Sequence, residues 1–418
     1  MILWLYNIAI FLLSPIWVPW MWFRSAKRAE KPNWKERAGD YSISRPQKKR
    51  VWIHAVSVGE ILASAPILRA VKAKRPDCEI VLTTTTSSGH QTAREKLSDL
   101  YDHLFYFPID LPRFTLRAVM KVRPSVIAVM ETELWMNFLW SADALQVPTL
   151  LINGRISDRS FKRSQSLKFF YKALFKFLGR GLMQSDRDKE RIEALGMPKA
   201  EVFGNCKFDQ AVEGLKGNRE EWRTKLGVAS TDFVVVVGST RGAEDEGIVL
   251  DGLKKAFPEL NGVKIVHAPR HLERVPELKE RADQFWPSVG QRSKGETADY
   301  LILDTYGELG EVYSAADIVV IGGGFANLGG QNLIQPLAHG VPVLHGPHMQ
   351  NFRDSSSMAL DAGASLECAD AEELAKNLTE LRNDADRRTA MGQNAKALVH
   401  SQIGASERYA DAIVSHLG

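Results

Sequence analysis

Along the chain, short runs of β-branched and other apolar residues alternate with longer stretches whose apolar positions recur every three or four residues. The runs Val51–Val56, Glu79–Thr83, Val126–Met130 and Thr149–Ile152 predict strands, and Ile61–Lys74 has the spacing of a helix with one buried face. From Gln210 to Asp232 the chain is charged and poor in strand formers. The alternation then resumes with Phe233–Val237, Val263–His267, Tyr300–Leu303, Ile318–Ile321 and Val341–Leu344. Apolar strands joined by helical crossovers are the pattern of a parallel sheet covered on both faces. Two such series, each of about 170 residues, predict two α/β domains. The stretch from Ala371 on is helical in pattern, and its last part, 391–418, is expected to pack back on the first domain.

The N-terminus departs from this alternation. Residues 1–23 carry no charged side chain and hold four of the ten Trp of the 418-residue chain. Roughly 20 apolar residues suffice to cross a bilayer core, so 1–23 is expected to be a membrane anchor, with a buried core helix as the alternative. Pro15 and Pro19 leave open whether it spans or lies in the interface. Trp17, Trp20 and Trp22 beside Arg24, Lys27 and Arg28 look like an aromatic belt followed by cytoplasmic positive charge. No basic region precedes the apolar stretch and no small-residue cleavage site follows it, so a signal peptide is a poor match.

Charge sharpens the picture. Between 24 and 50, ten Lys/Arg stand against three acids, a local +7 that leaves the rest of the chain at −3 out of a net +4. The cations form one juxtamembrane segment suited to anionic lipid headgroups. A nucleic-acid binder with a basic surface throughout is excluded. Three scattered cysteines, Cys78, Cys206 and Cys368, exclude a disulfide framework and fit a reducing compartment.

In doubly wound folds ligands sit beyond the carboxyl ends of the strands, here in a cleft if two such domains face each other. After Val51–Val56 comes Ser57-Val-Gly59-Glu60, where Glu60 is either a complement to a helix dipole or a general base. The hydroxyls of Thr83–Gly89 either cap a helix or hold an anionic or sugar group. Glu131-Thr-Glu133-Leu-Trp135 follows Val126–Met130. At a regular strand–helix junction only one of the two acids faces the cleft, and Glu131, nearest the strand, is favoured. Asn153–Ser160 is polar and cationic, an anion site or a capped loop. In Gly204–Asp209, Lys207 is a candidate for stabilising charge in the cleft.

In the second series, Gly238–Gly242 lacks the Lys-Ser/Thr ending of a Walker loop, which argues against an ATPase. Ala268-Pro269-Arg270-His271 offers a guanidinium at a strand end, and Gly307-Glu308-Leu309 precedes a helix. Five glycines within the nine residues 322–330, between a strand and a helix, either cradle phosphate on backbone N–H groups, the favoured reading, or form a structural loop. Asn332 and Gln335 are expected to share a helix face there. Asp186-Arg-Asp188 has the spacing of a metal-binding DxD but reads as a helix start, and the ten His show no ligand spacing, so no metal is expected.

Taken in order, SVGE at 57–60, ETELW at 131–135, NGRIS at 153–157, KFD at 207–209, GST at 238–240, APRH at 268–271, GEL at 307–309, GGQN at 329–332 and GPH at 346–348 resemble one family. It is the 3-deoxy-D-manno-octulosonic acid (Kdo) transferases of lipid A assembly, glycosyltransferases of the α/β GT-B fold with two Rossmann-like domains. The resemblance implies an N-terminal acceptor-binding domain over 51–209, a linker over 210–232 and a nucleotide-sugar-binding domain over 233–390. It implies CMP-Kdo as donor, a lipid A precursor (lipid IVA) as acceptor, and inversion at the anomeric carbon. Glu60 is then the general base, with Glu131 and Lys207 stabilising the transition state. Pro269, Arg270, Gly307, Glu308, Leu309, Asn332, Leu333, Ile334 and Gln335 would hold CMP without a metal or other cofactor. With the anchor, this places the enzyme on the cytoplasmic side of the inner membrane. The chain departs from the family in Gln335, where Glu is usual, in Met136, where Pro is usual, and in Arg241–Glu244, which lacks a usual His. A nucleotide-sugar 2-epimerase of the same fold, or an inactive CMP- or lipid-binding homologue, are the alternatives.

Overall fold

The apolar runs fold as the inner strands of two parallel sheets in a computed structural model that describes residues 1–27, 33–215 and 217–418. The first sheet contains β1 (Arg50–His54), β2 (Glu79–Thr84), β3 (His103–Tyr106), β4 (Val126–Met130), β5 (Thr149–Gly154), β6 (Arg180–Met183) and β7 (Ala200–Val202). Their order is β3-β2-β1-β4-β5-β6-β7. The second contains β8 (Phe233–Thr240), β9 (Val263–Pro269), β10 (Val289–Gln291), β11 (Tyr300–Ile302), β12 (Ile318–Ile321), β13 (Val343–His345) and β14 (Ser365–Glu367), ordered β10-β11-β9-β8-β12-β13-β14. In β1 and β4 every residue is buried, because helices cover both faces. The edge strands β3, β7, β10 and β14, with β6, carry no long apolar run and were not foreseen. An edge strand of three or four residues needs none.

The chain divides into one unit of Met1–Gln210 with Gly404–Gly418 and a second of Ala211–Ile403. Segment 210–232 is therefore no separate linker. Its helix Arg219–Lys225 buries Trp222 and pairs Arg219 and Arg223 with Asp317, all within the second unit. Likewise, the chain returns to the first unit at Gly404 and not at 391. Asp209 accepts the N–H groups of Gly404 at 2.6 Å and Ser406 at 2.8 Å. The Tyr409 hydroxyl donates to the Gly204 carbonyl at 2.7 Å. The final helix, Ala405–Val414, places Tyr409, Ala410 and Ile413 in one core with Ile61, Leu68 and β1. It thus packs on the helix Val58–Lys74, whose first turn carries the candidate base.

The N-terminal apolar stretch is a helix, Ile2–Lys27. Among the described residues no helix is long and apolar enough to cross a membrane, which corrects the spanning form of the anchor. Asn7, Ser14, Pro15 and Pro19 dilute its apolar character, and one face is committed to protein. Ile2, Leu3 and Tyr6 pack into the first unit. The Tyr6 hydroxyl donates to Asp110 at 2.8 Å, and Asn7 exchanges amide hydrogen bonds with Asn137 at 2.9 Å. The other face is bare: Trp4, Leu5, Ile8, Phe11, Leu12 and Ile16 are each more than half exposed. Of the basic segment 24–50, residues 28–32 lie outside the described residues. So do the side chains of Trp20, Trp22, Arg24 and Lys27.

Candidate active site

In the first sheet the strand order reverses between β1 and β4, and ligand sites of such sheets form at the carboxyl ends beside that reversal. Glu60 follows β1 and Glu131 follows β4. Glu60 stands in the first turn of helix Val58–Lys74, whose N-cap is Ser57. The Ser57 side chain accepts the Glu60 N–H, while the Glu60 carboxylate accepts from the Ser57 hydroxyl at 2.9 Å and the Val56 N–H at 3.0 Å. This is a capping-box exchange with the return bond moved one residue upstream. Glu60 therefore caps a helix, but a cap needs no cluster of carboxylates around it. Burial, then the neighbouring charge of Glu131 and more weakly that of Glu133, raise its pKa to about 7 against the two hydrogen bonds.

Glu131 occupies the left-handed backbone region at φ +55°, a conformation that a glutamate holds only when its surroundings impose it. Its Oε1 lies 2.9 Å from Lys207 Nζ, and both side chains are more than four-fifths buried. Lys207 lies in the first turn of the helix Cys206–Glu213, whose first N–H donates to Asn153 Oδ1, near the end of β5, at 3.2 Å. The ends of β4, β5 and β7 are thus tied together. Glu133 accepts from the Trp135 indole at 3.2 Å, and burial and the Glu131 charge raise its pKa. Against the expectation that only one of these acids turns toward the site, both act on Glu60. The left-handed turn at Glu131 breaks the regular junction on which that expectation rested.

The neighbouring motifs of the first unit are largely structural. Thr86 caps the helix Ser87–Lys96 and donates to the Val56 carbonyl at 2.8 Å. Ser157 caps Asp158–Gln165, and Ser185, not Asp186, caps Asp186–Ala194. Asp188 accepts the Ile156 N–H at 2.7 Å. Among the described residues no group of His, Cys, Asp and Glu is arranged to hold a metal ion.

In the second unit the glycine-rich loop differs from expectation. Asp245, buried in the first turn of helix Gly242–Ala256, accepts the N–H groups of Gly323 (2.6 Å), Phe325 (3.1 Å), Ala326 (3.4 Å) and Arg241 (2.9 Å). A protein carboxylate already occupies the amides expected to receive phosphate. The glycines also allow close backbone packing: a Cβ on Gly346 would lie 2.2 Å from the Gly324 carbonyl oxygen.

The residues expected to hold the nucleotide lie at or beyond the carboxyl ends of β9, β11 and β12. Pro269 ends β9 and is buried, whereas Arg270 is exposed and its N–H donates to the Thr240 carbonyl at 2.9 Å. Gly307, at φ +90°, turns the chain into Glu308 and Leu309. Burial alone would raise Glu308, but the Thr305 hydroxyl and the Arg292 guanidinium outweigh it and hold its carboxyl below the usual range. Helix Ile334–Ala338 starts too late for Asn332 and Gln335 to share a helix face; Asn332 precedes it and accepts the Ile334 N–H at 3.0 Å. Leu333 and Ile334 are fully buried, which leaves only their backbone for a ligand. Gln335 lies against Gly310, so the 307–310 and 332–335 segments are neighbours.

Sequence reasoning missed Asp245, Glu133 as a neighbour of Glu60, and the Tyr6–Asp110–Asn137 node. It also passed over the run from Arg159 to Arg180, which has seven Lys/Arg and no acid. Counting charge in windows would have found that run. Nothing local marks the other three.

Two parallel-sheet Rossmann-like units, the first with a carboxylate cluster at its reversal point, define a GT-B-like architecture. Solved structures share this fold. An Anabaena protein, HepE, in complex with UDP covers 88% of the chain and 100% of its own length at TM-score 0.63 and 13% identity. A UDP-GlcNAc 2-epimerase from Neisseria meningitidis, bound to UDP-GlcNAc, covers 88% and 99% at TM-score 0.61 and 14% identity. Sequence goes further than fold. Residues 32–210 match the family model described as 3-deoxy-D-manno-octulosonic-acid transferase. A 3-deoxy-D-manno-octulosonic acid transferase of Bordetella pertussis is 32% identical over 99% of each chain, and one of Haemophilus influenzae is 28% identical over 91% of each. The chain belongs to the Kdo transferase family of glycosyltransferases.

Proposed function

We propose that the chain transfers Kdo from CMP-Kdo to a hydroxyl of a lipid A precursor, with inversion and without a metal, at the cytoplasmic face of the inner membrane. The observation that carries this reading is the Glu60 carboxylate, poised at about pH 7 beside Glu131 and Glu133 at the reversal point of the first sheet. A base with a pKa near the working pH is ionised often enough to act and basic enough to take a hydroxyl proton. It would withdraw that proton as the oxygen attacks the anomeric carbon, while the bond to the CMP phosphate breaks. Lys207, held by Glu131, supplies fixed positive charge nearby. Pro269, Arg270, Gly307, Glu308, Leu309 and the 332–335 segment are assigned to the departing CMP. Asp245 sets the shape of the loop beside them.

The same reading assigns the bare face of helix Ile2–Lys27 to lipid. A row of large apolar side chains on a docked helix, next to the basic run Arg159–Arg180 and exposed Leu167 and Phe169, suits a segment lying in the interface. Such attachment would bring a lipid-borne acceptor to the carboxylates without a spanning helix. The test is incubation of the full chain with CMP-Kdo and a tetraacylated lipid A precursor, with and without chelator, reading product mass. Transfer that survives chelation and is abolished in Glu60→Ala supports the reading; full transfer by Glu60→Ala overturns it.

A further inference from the structure

A cavity of about 330 Å³ lies within the first unit, between the N-terminal helix and the segment that follows β3. Its walls are mostly hydrocarbon and aromatic: Tyr6, Ile10 and Trp17 from the helix, Phe107 and Ile109 from the segment, and Trp135 from the loop after β4. Its size and lining fall in the range of small-ligand sites. Two of its charged residues are engaged elsewhere. Arg37 donates to the Thr85 carbonyl at 2.9 Å and lies over the Tyr106 ring, and Asp110 accepts from the Tyr6 hydroxyl and the N–H groups of Asn137 and Phe138. The Thr85 hydroxyl is different: it is buried with no hydrogen-bond partner among the described residues.

The position of this cavity gives it meaning. Thr85, Phe107 and Trp135 follow β2, β3 and β4, so it opens at the same carboxyl edge of the sheet as Glu60. On one side Trp135 donates to Glu133. On the other, Thr85 adjoins Thr86, which donates to the carbonyl of Val56, and the Val56 N–H donates to Glu60. The roof is the helix whose opposite face is apolar and bare.

Resting on the reading of a lipid acceptor, we propose that this cavity receives one acyl chain of that acceptor. A sugar ring would need several hydrogen-bond partners, and the one unpaired hydroxyl among the lining residues, that of Thr85, has no exposed surface to offer. A hydrocarbon chain needs only apolar walls, and it would pass under the helix from the lipid side to the carboxylates. The site thereby reads the acceptor as an acylated molecule and sets the distance from its chain to the reacting hydroxyl.

Two measurements on the full chain test this. In the first, the acceptor carries a diazirine on an acyl chain, and crosslinks to the unmodified protein are mapped by mass spectrometry. Adducts on Phe107, Ile109 or Trp135 are expected; adducts confined to the outward residues Trp4, Leu5, Phe11 and Leu12 overturn the proposal. In the second, kcat/KM is compared for a tetraacylated acceptor and a chain-free phosphorylated disaccharide. Ile109→Trp, which fills the cavity, is expected to lower the acylated-to-chain-free ratio about tenfold. An unchanged ratio, including equal loss on both acceptors as a sugar site would give, overturns it. Failure of the underlying function is separate, because unmodified protein would then transfer Kdo to neither acceptor while the crosslinks still report the cavity.

Discussion

Lys207 Nζ sits 2.9 Å from Glu131 Oε1, and through this pair a cation that follows β7 governs a carboxylate that follows β4. Glu131 in turn is the largest charged influence on Glu60, after burial. The pair therefore tunes the candidate base without being the base, and three strand ends share one electrostatic unit.

Glu60→Gln should lower kcat for transfer by about 10²–10⁴-fold, the usual contribution of a general base, with CMP binding retained. In the unmodified protein, kcat/KM should rise with pH and level off above about 7, because the base acts only when ionised. A pH profile flat between 5.5 and 8 would contradict this.

The same group makes a stability prediction. Its pKa rises from 4.5 to about 7 on folding, so between these values the folded chain keeps a proton that the unfolded chain has lost. Stability contributed by protonated Glu60 is present below 4.5 and is lost as pH rises through 7. Glu60→Gln should therefore gain on the unmodified protein between pH 5 and pH 8, on the order of 2 kcal/mol by denaturant titration.

Glu131→Gln removes a negative charge beside Glu60 and should move the acid limb of the rate profile to lower pH. Lys207→Met leaves Glu131 without its cation and should cost about 1–3 kcal/mol of stability, measured by thermal unfolding. A limb that moves upward in Glu131→Gln would show that the two carboxylates do not interact as described.

Asp245→Ala leaves the N–H groups of Gly323, Phe325 and Ala326 without their acceptor. A loss of roughly 3–5 kcal/mol is expected, with calorimetry showing the second unit melting first and isothermal titration showing weakened CMP binding. Asp245→Asn, which keeps one accepting oxygen, should lose less. Equal stability in all three proteins would remove the role assigned to this residue.

Phe11→Glu with Leu12→Glu places charge on the bare face of the N-terminal helix. Co-sedimentation with anionic vesicles should fall at least tenfold while the melting temperature stays within about a degree, since neither side chain supports the fold. Tyr6→Phe should behave oppositely, lowering stability through the lost bond to Asp110 with the outer face intact.

What could be read in advance follows from where the information lies. The inner strands were legible because burial on both faces demands unbroken apolar runs, as in β4 and β12. Glu60 was legible because Ser57 and Glu60 stand at capping spacing just after such a run. The edge strands were not, since three residues such as Ala200–Val202 carry no pattern. Asp245 looked like one more acid in a first helical turn, and only the fold brings the amides of Gly323 and Phe325 to it. Tyr6 and Asp110 are 104 positions apart, beyond any local rule.

The last helix has a consequence for how the molecule comes into being. Tyr409 and Ile413 complete the core of the unit that holds β1, so that unit can close only once residues 404–418 have been made. Until then the underside of helix Val58–Lys74 stays open to water and chaperones. Of the two units, the one whose sheet is made earlier is the one completed later.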